Sequence, residues 1–203
     1  MPTKQARRTQ AERTEATTTA LVDAARALFA EDGYAATSLD AVAAKARVTK
    51  GAVYHHFEGK QQLFEAVFAR EVERLAAVLP AVYASKPDPW DAFEASCRAF
   101  LAECLEPGLQ RIMLLDALAA MGWEGVRRME APMLEMMEIA ITRAVEAGCI
   151  APRPAGPLAV FLYGALCETS MNVARADNQK AAHRKAVTEL GHVMDGLRLT
   201  ERS

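Results

Sequence analysis

Apolar residues recur at helical spacing along almost the whole chain. Leu21, Ala24, Ala25, Leu28 and Phe29 form one stripe, which predicts a helix over about Thr18–Asp32 with Gly33 placed to end it. Leu39, Val42, Ala43 and Ala46 form a narrower stripe in a short segment, and Val48 continues it across a turn. Val53 and Phe57, four apart, mark a second short helix pointing back to the same core. Leu63, Phe64, Val67, Phe68, Val72, Leu75 and Leu79 predict a long helix from Lys60 to about Ala84, broken by Ser85-Lys86-Pro87-Asp88-Pro89. Five further helices are expected at about 89–106, 109–120, 124–147, 156–176 and 179–199, punctuated by Pro107-Gly108, Gly122, Gly148 and Pro152-Arg153-Pro154. Little β-branched alternation is present, so the reading is all-α, with about nine helices and one or two small domains.

Thr37–Lys60 carries the most specific chemistry. Thr37 followed three residues later by Asp40 reads as a capping box for the first short helix, and Thr49 reads as the cap of the second. With Val53 and Phe57 turned inward, Lys50, Gly51, Ala52, Tyr54 and His55 are left outward. Gly51 and Ala52 are small enough for close approach to a groove wall. Lys50, Tyr54 and His55 offer donors for phosphates and base edges, and ring surface for thymine methyls. Lys60, at the next helix start, is placed for a phosphate. An ordinary helical hairpin with a solvated polar face fits the same spacing.

Residues 1–60 hold nine Lys/Arg against seven Asp/Glu, and the remainder fifteen against nineteen, within a formal net charge of −2. The positive balance thus lies at the end that would meet phosphate. Residues 1–16 form a polar arm with Lys4, Arg7, Arg8 and Arg13, read as disordered off DNA: either a groove- or phosphate-contacting arm or a solvated tail. No stretch is long and apolar enough for a membrane span, and no signal-peptide core follows the N-terminus, so a cytoplasmic location is expected. Cys97, Cys104, Cys149 and Cys167 lack metal-ligand or CxxC spacing, and read as reduced core residues, with redox sensing the alternative. His55 and His56 are adjacent rather than four apart, which argues against a helical metal site. No cofactor is expected, and no nucleophile has a His and an acid at recognisable spacing. An enzyme and a helical interaction module without DNA binding are the rival classes.

In combination, Ala24-Ala25, Leu28-Phe29, Gly33-Tyr34, Thr37-Ser38, Val42-Ala43, Val48-Thr49-Lys50-Gly51, Val53-Tyr54-His55-His56-Phe57, Lys60 and Leu63-Phe64 resemble the DNA-binding domain of the tetracycline-repressor (TetR) family of bacterial transcription regulators. The resemblance implies a helix-turn-helix domain over 17–62 and an effector-binding and dimerisation domain over 63–203. It implies a dimeric regulator, expected to be a repressor, that binds a palindromic double-stranded DNA operator and is released by a small, largely hydrophobic effector. Thr37, Arg47, Thr49, Lys50, Gly51, Ala52, Tyr54, His55 and Lys60 are the DNA-binding candidates. Arg47 stands where the family usually has Gly. Either the turn adopts a different geometry, or strain is accepted because Arg47 reaches a phosphate.

In the body, Phe93, Phe100, Cys104, Met113, Asp116, Trp123, Met133 and Met137 are the pocket candidates, taken from an apolar, sulfur-rich set that also includes Trp90, Met121, Met129 and Met136. Each of these also fits ordinary core. Asp116 could recognise a ligand or lie on a solvated helix face. For the last two helices the resemblance implies a four-helix interface with a second copy, through Leu158, Phe161, Leu162, Ala165, Val187, Leu190, Met194 and Leu197, with Gly164 and Gly191 permitting close approach.

Overall fold

The computed structural model describes residues 9–199 as an all-α chain. Helix α1 spans Gln10–Ala36, α2 Leu39–Ala46, α3 Lys50–His56, α4 Lys60–Ala84 and α5 Pro89–Glu103. A single turn, α6 (Pro107–Leu109), runs into a π-helix over Gln110–Asp116 and then into α7 (Ala117–Glu146). Helices α8 (Ala155–Ala174) and α9 (Gln179–Leu197) complete the chain. No strand occurs among the described residues. One isolated antiparallel bridge joins Ile150 to Arg198.

Three boundaries differ from the periodicity. Helix α1 starts at Gln10 rather than Thr18, because Thr9 and Glu12 form a reciprocal capping box: Glu12 N–H donates to Thr9 Oγ1 at 3.2 Å, and Thr9 N–H to Glu12 Oε2 at 2.7 Å. Residues 10–16 of the expected arm are therefore helical, while Lys4, Arg7 and Arg8 lie outside the described residues. Gly33 (φ 84°, ψ 167°) interrupts the helix where expected, and a last short turn through Ala36 continues beyond it. Likewise Gly122 (φ 68°) bends α7, joining the expected 124–147 helix to the preceding segment. The expected helix over 109–120 opens as the π-helix instead.

Helices α1–α3 close over Leu21, Ala25, Phe29, Val42 and Val53, and the N-terminal half of α4 completes this small core with Leu63, Phe64, Val67 and Phe68. The rest of α4 packs on α5 and α7, so one 25-residue rod, about 37 Å long, belongs to both halves of the molecule. Glu71 of α4 is 2% exposed and sits between Arg26 of α1 (2.5 Å) and Arg74 (3.2 Å). Arg26 also reaches Glu106 at 3.2 Å, and Arg74 reaches Glu103 at 2.6 Å. Two arginines pair with this buried carboxylate, and the network ties α1 to the α5–α6 corner.

Candidate DNA-reading head and effector cavity

In α3, Val53 is fully buried and Phe57, which follows the helix, is 6% exposed. Lys50, Gly51, Tyr54 and His55 face solvent, Tyr54 at 53% exposure, and Ala52 is half-buried. Thr49 caps α3 by accepting from Ala52 N–H at 3.2 Å. His56 turns aside to meet Thr18 Oγ1 at 3.0 Å, so the two histidines diverge. Lys50 is paired with Asp40 at 2.8 Å. Hydrogen bonding to that carboxylate raises the lysine's pKa and keeps it charged. The pair is exposed on both sides, so phosphate can compete for it.

The turn between α2 and α3 settles the geometry around Arg47. Its backbone sits in the left-handed region at φ 57°, ψ 40°. Val48 N–H reaches Ala43 O at 3.0 Å, and Arg47 N–H reaches Ala44 O at 3.2 Å, the two bonds of a Schellman close. The expectation of a different turn geometry is thus corrected: the glycine-type turn is kept, and Arg47 accepts the strain.

Two DNA-binding candidates are committed elsewhere. Thr37 is 4% exposed and its hydroxyl donates to Gly33 O at 2.9 Å. Ser38 caps α2 in its place, accepting from Ala41 N–H at 3.1 Å. Thr37 closes α1 by giving the Gly33 carbonyl both its backbone N–H, at 3.3 Å, and its hydroxyl. Lys60 Nζ donates to Tyr34 O (2.8 Å) and Ala35 O (3.2 Å), and lies 4.5 Å from the centre of the Tyr34 ring. It stabilises the carbonyl end of α1 rather than offering a free cation to phosphate.

A cavity of about 310 Å³ opens between the C-terminal end of α4, α5, α7 and α8. Phe93, Phe100, Met133 and Met137 line it as expected. The other four pocket candidates do not. Cys104 is buried elsewhere in the core, and Met113 belongs to the π-helix. Trp123 is 67% exposed beside the Gly122 bend, under the Arg127 guanidinium. Asp116 accepts from Tyr34 N–H at 2.7 Å and pairs with Arg111 at 3.0 Å. That N–H is freed by the Gly33 kink and needs an acceptor; the π-helix, with its i→i+5 repeat, brings Arg111 and Asp116 to one side. The periodicity missed Tyr83, Ser96, Arg143 and Tyr163, which also line the cavity. Their signal in the sequence was weak, because each is a lone polar group on an otherwise apolar helix face.

Residues 21–67 match the family profile described as bacterial regulatory proteins, tetR family, and residues 90–197 match tetracyclin repressor-like, C-terminal domain. The chain belongs to the TetR family. A crystal structure of a TetR-family transcriptional regulator from Pectobacterium atrosepticum is 34% identical, superposes with a TM-score of 0.85, and aligns over 96% of this chain and 100% of that one. The transposon Tn10 TetC protein of Escherichia coli is 33% identical over 122 residues, 59% of this chain and 60% of TetC. The HTH-type transcriptional regulator SrpR of Pseudomonas putida is 47% identical over 64 residues, 32% of this chain and 30% of SrpR. The chain thus spans less than two thirds of these two curated relatives, and the SrpR match has the length of the reading head alone. This TetR-family chain carries the helix-turn-helix DNA-binding domain of bacterial transcriptional regulators, a class of non-enzymatic transcription factors.

The last two helices of this TetR-family chain leave an apolar strip outside. Phe161 is 70% exposed, Val160 51% and Val193 46%; Gly164 and Ala165 are open beside them. Two of the interface candidates are corrected: Leu162 (3%) and Met194 (0%) are buried, because α8 and α9 turn those positions onto α5 and α7. The Met194 carbonyl accepts from Trp90 Nε1 at 3.0 Å. Leu158, Val187, Leu190 and Leu197 are half-buried against the core. Gly191 makes room for the Arg98 side chain, not for a facing helix. Burial pushes the Cys104 thiol up to about 11 and Cys167 up to about 12, and raises Cys97 further, which keeps all three protonated and unreactive. Among the described residues no group of His, Cys, Asp or Glu could hold a metal ion, and no helix is long and apolar enough to cross a membrane.

Proposed function

We propose that the chain is a dimeric, effector-released repressor that binds a two-fold symmetric operator. The observation that carries this reading is the outer side of α3: Lys50, Gly51, Tyr54 and His55 stand clear of the protein while Val53 and Phe57 lock the helix from beneath. A seven-residue helix held from behind, with a bare glycine and three donors in front, suits the major groove. The outward strip of Val160, Phe161, Gly164 and Ala165 supports pairing with a second copy, which would present two reading heads and call for a palindromic site.

The cavity supports effector control. Its wall includes Leu79, Pro80, Tyr83 and Ala84 at one end of α4, and the other end of α4 begins beside α3. An effector that prefers one tilt of α4 over another changes the separation of the heads, and it shifts the equilibrium only by that difference in affinity.

A mobility shift with DNA from upstream of the chain's own gene tests the reading. The wild-type protein is expected to retard it in a salt-sensitive manner. Tyr54→Ala is expected to weaken binding by about 1–3 kcal/mol with an unchanged melting temperature. Wild-type affinity in Tyr54→Ala would count decisively against α3 as the reading helix.

A further inference from the structure

The cavity wall is apolar apart from a few groups, of which one is charged. It contains one cation, Arg143, and no Asp or Glu. No carboxylate among the described residues pairs with Arg143, whose guanidinium instead lies 6.0 Å from the centre of the Tyr83 ring. The Tyr83 hydroxyl is buried and has no hydrogen-bond partner. A buried hydroxyl without a partner carries a desolvation cost that an acceptor would remove. Ser96, by contrast, already donates to Ala92 O at 3.0 Å. Tyr83 and the cationic Arg143, neighbours across the α4–α7 seam, both line the cavity. The opposite wall is Phe93, Phe100 and methionine.

We infer that the effector is a small amphipathic carboxylate, its apolar body against Phe93, Phe100, Met133 and Met137 and its carboxylate held by Arg143 and Tyr83. This deepens the effector reading above and rests on it. Arginine's planar fork matches a carboxylate in two parallel hydrogen bonds, and the tyrosine hydroxyl supplies a third donor. An ammonium ligand would meet a cation with no acid to balance it. A neutral alcohol would leave most of the donors unused. The volume, near the lower end of the roughly 300–1,000 Å³ typical of small-molecule sites, suits a body of modest length.

The test uses the full-length protein without DNA and three probes of one body: octanoate, octan-1-ol and octylamine, compared by calorimetry at fixed ionic strength. Octanoate is expected to bind at least about tenfold more tightly than either of the others, the effect of a charge-assisted hydrogen bond. Arg143→Gln, at an exposed position, is expected to remove that preference while leaving octan-1-ol binding within about twofold. Tyr83→Phe is expected to weaken octanoate by about fivefold. Circular dichroism checks that both variants remain folded. Octan-1-ol or octylamine binding as tightly as octanoate, no octanoate binding, or an intact preference in Arg143→Gln overturns the assignment. Operator release by octanoate is scored separately in a mobility shift, so failure of the regulatory reading is distinguishable from failure of the ligand assignment.

Discussion

Replacing Arg47 with glycine should stabilise the protein. The backbone at φ 57°, ψ 40° is the one non-glycine position with positive φ among the described residues. A side chain in that conformation costs about 1–2 kcal/mol, from crowding of Cβ against the following carbonyl. Glycine removes the crowding but adds freedom to the unfolded chain, worth about 0.4–1 kcal/mol in the other direction. Arg47 is exposed and in no ion pair among the described residues, so no further contact is lost. The net gain is then about 0.5–1 kcal/mol. For a chain of this size that raises the melting temperature by about 1–4 °C. Differential scanning calorimetry at fixed protein concentration measures it. A fall in melting temperature would refute the strain argument. The same variant separates strain from DNA contact. If Arg47 touches one phosphate, the slope of log affinity against log salt falls by about 0.9 in Arg47→Gly; if the turn is merely strained, the slope is unchanged.

Lys60→Ala should lower the melting temperature by several degrees, since it removes two hydrogen bonds to the α1 carbonyl end and a ring contact, about 1–2 kcal/mol together; a slope reduced by one unit at unchanged stability would restore the phosphate role. Asp88→Ala should cost about 0.5–2 kcal/mol, because Asp88 caps α5 through Trp90 and Asp91 N–H at 3.0 and 2.8 Å. Hydrogen bonding from the Asp91 amide, with Arg198 nearby, holds the folded Asp88 pKa below its ordinary 3.8, so this stabilisation is complete above that value and is lost as pH falls through the lowered one. Urea titrations from pH 6 to pH 3 should show the wild type losing stability across that window more than Asp88→Asn does. Phe161→Glu should convert a dimer to monomer in sedimentation at micromolar concentration, with helix content retained.

The sequence was legible where a repeating pattern met a single partner face. Leu21 through Phe29, Val53 with Phe57, and Leu63 through Leu79 all became core as their spacing indicated. It was less legible wherever backbone geometry redirected a polar group. The end of α1 draws in Thr37, Lys60 and Asp116: the first two meet its last carbonyls, and Asp116 meets the Tyr34 N–H beyond the Gly33 bend, and periodicity shows none of these contacts. Leu162 and Met194 sit on a stripe too wide to be one face, so periodicity alone could not say which edge stays outside. Tyr83 and Arg143 were hidden because one turn of α4 and one of α7 meet only in three dimensions.

These redirected contacts also bear on how a signal would reach the DNA end. Helix α4 is the direct route from cavity to head, yet Pro80 interrupts it at the cavity wall: the ring supplies no N–H to the Ala76 carbonyl, and the rod is weakest where the ligand would press on it. Motion at that point need not reach the head unless the rest of α4 is held as one body. The Glu71 network does this, fixing mid-α4 to Arg26 of α1 and to the α5–α6 corner. Asp116 adds a second tie, from the start of α7 to the kink in α1 through Tyr34 N–H. Helix α7 also forms the far wall of the cavity, but the Gly122 bend lies between that wall and the Asp116 tie, so on the proposed effector reading α4 remains the more direct lever. On the proposed effector reading, these ties would carry a displacement of α4 to the head as a rotation of the whole head in preference to a bend at its base.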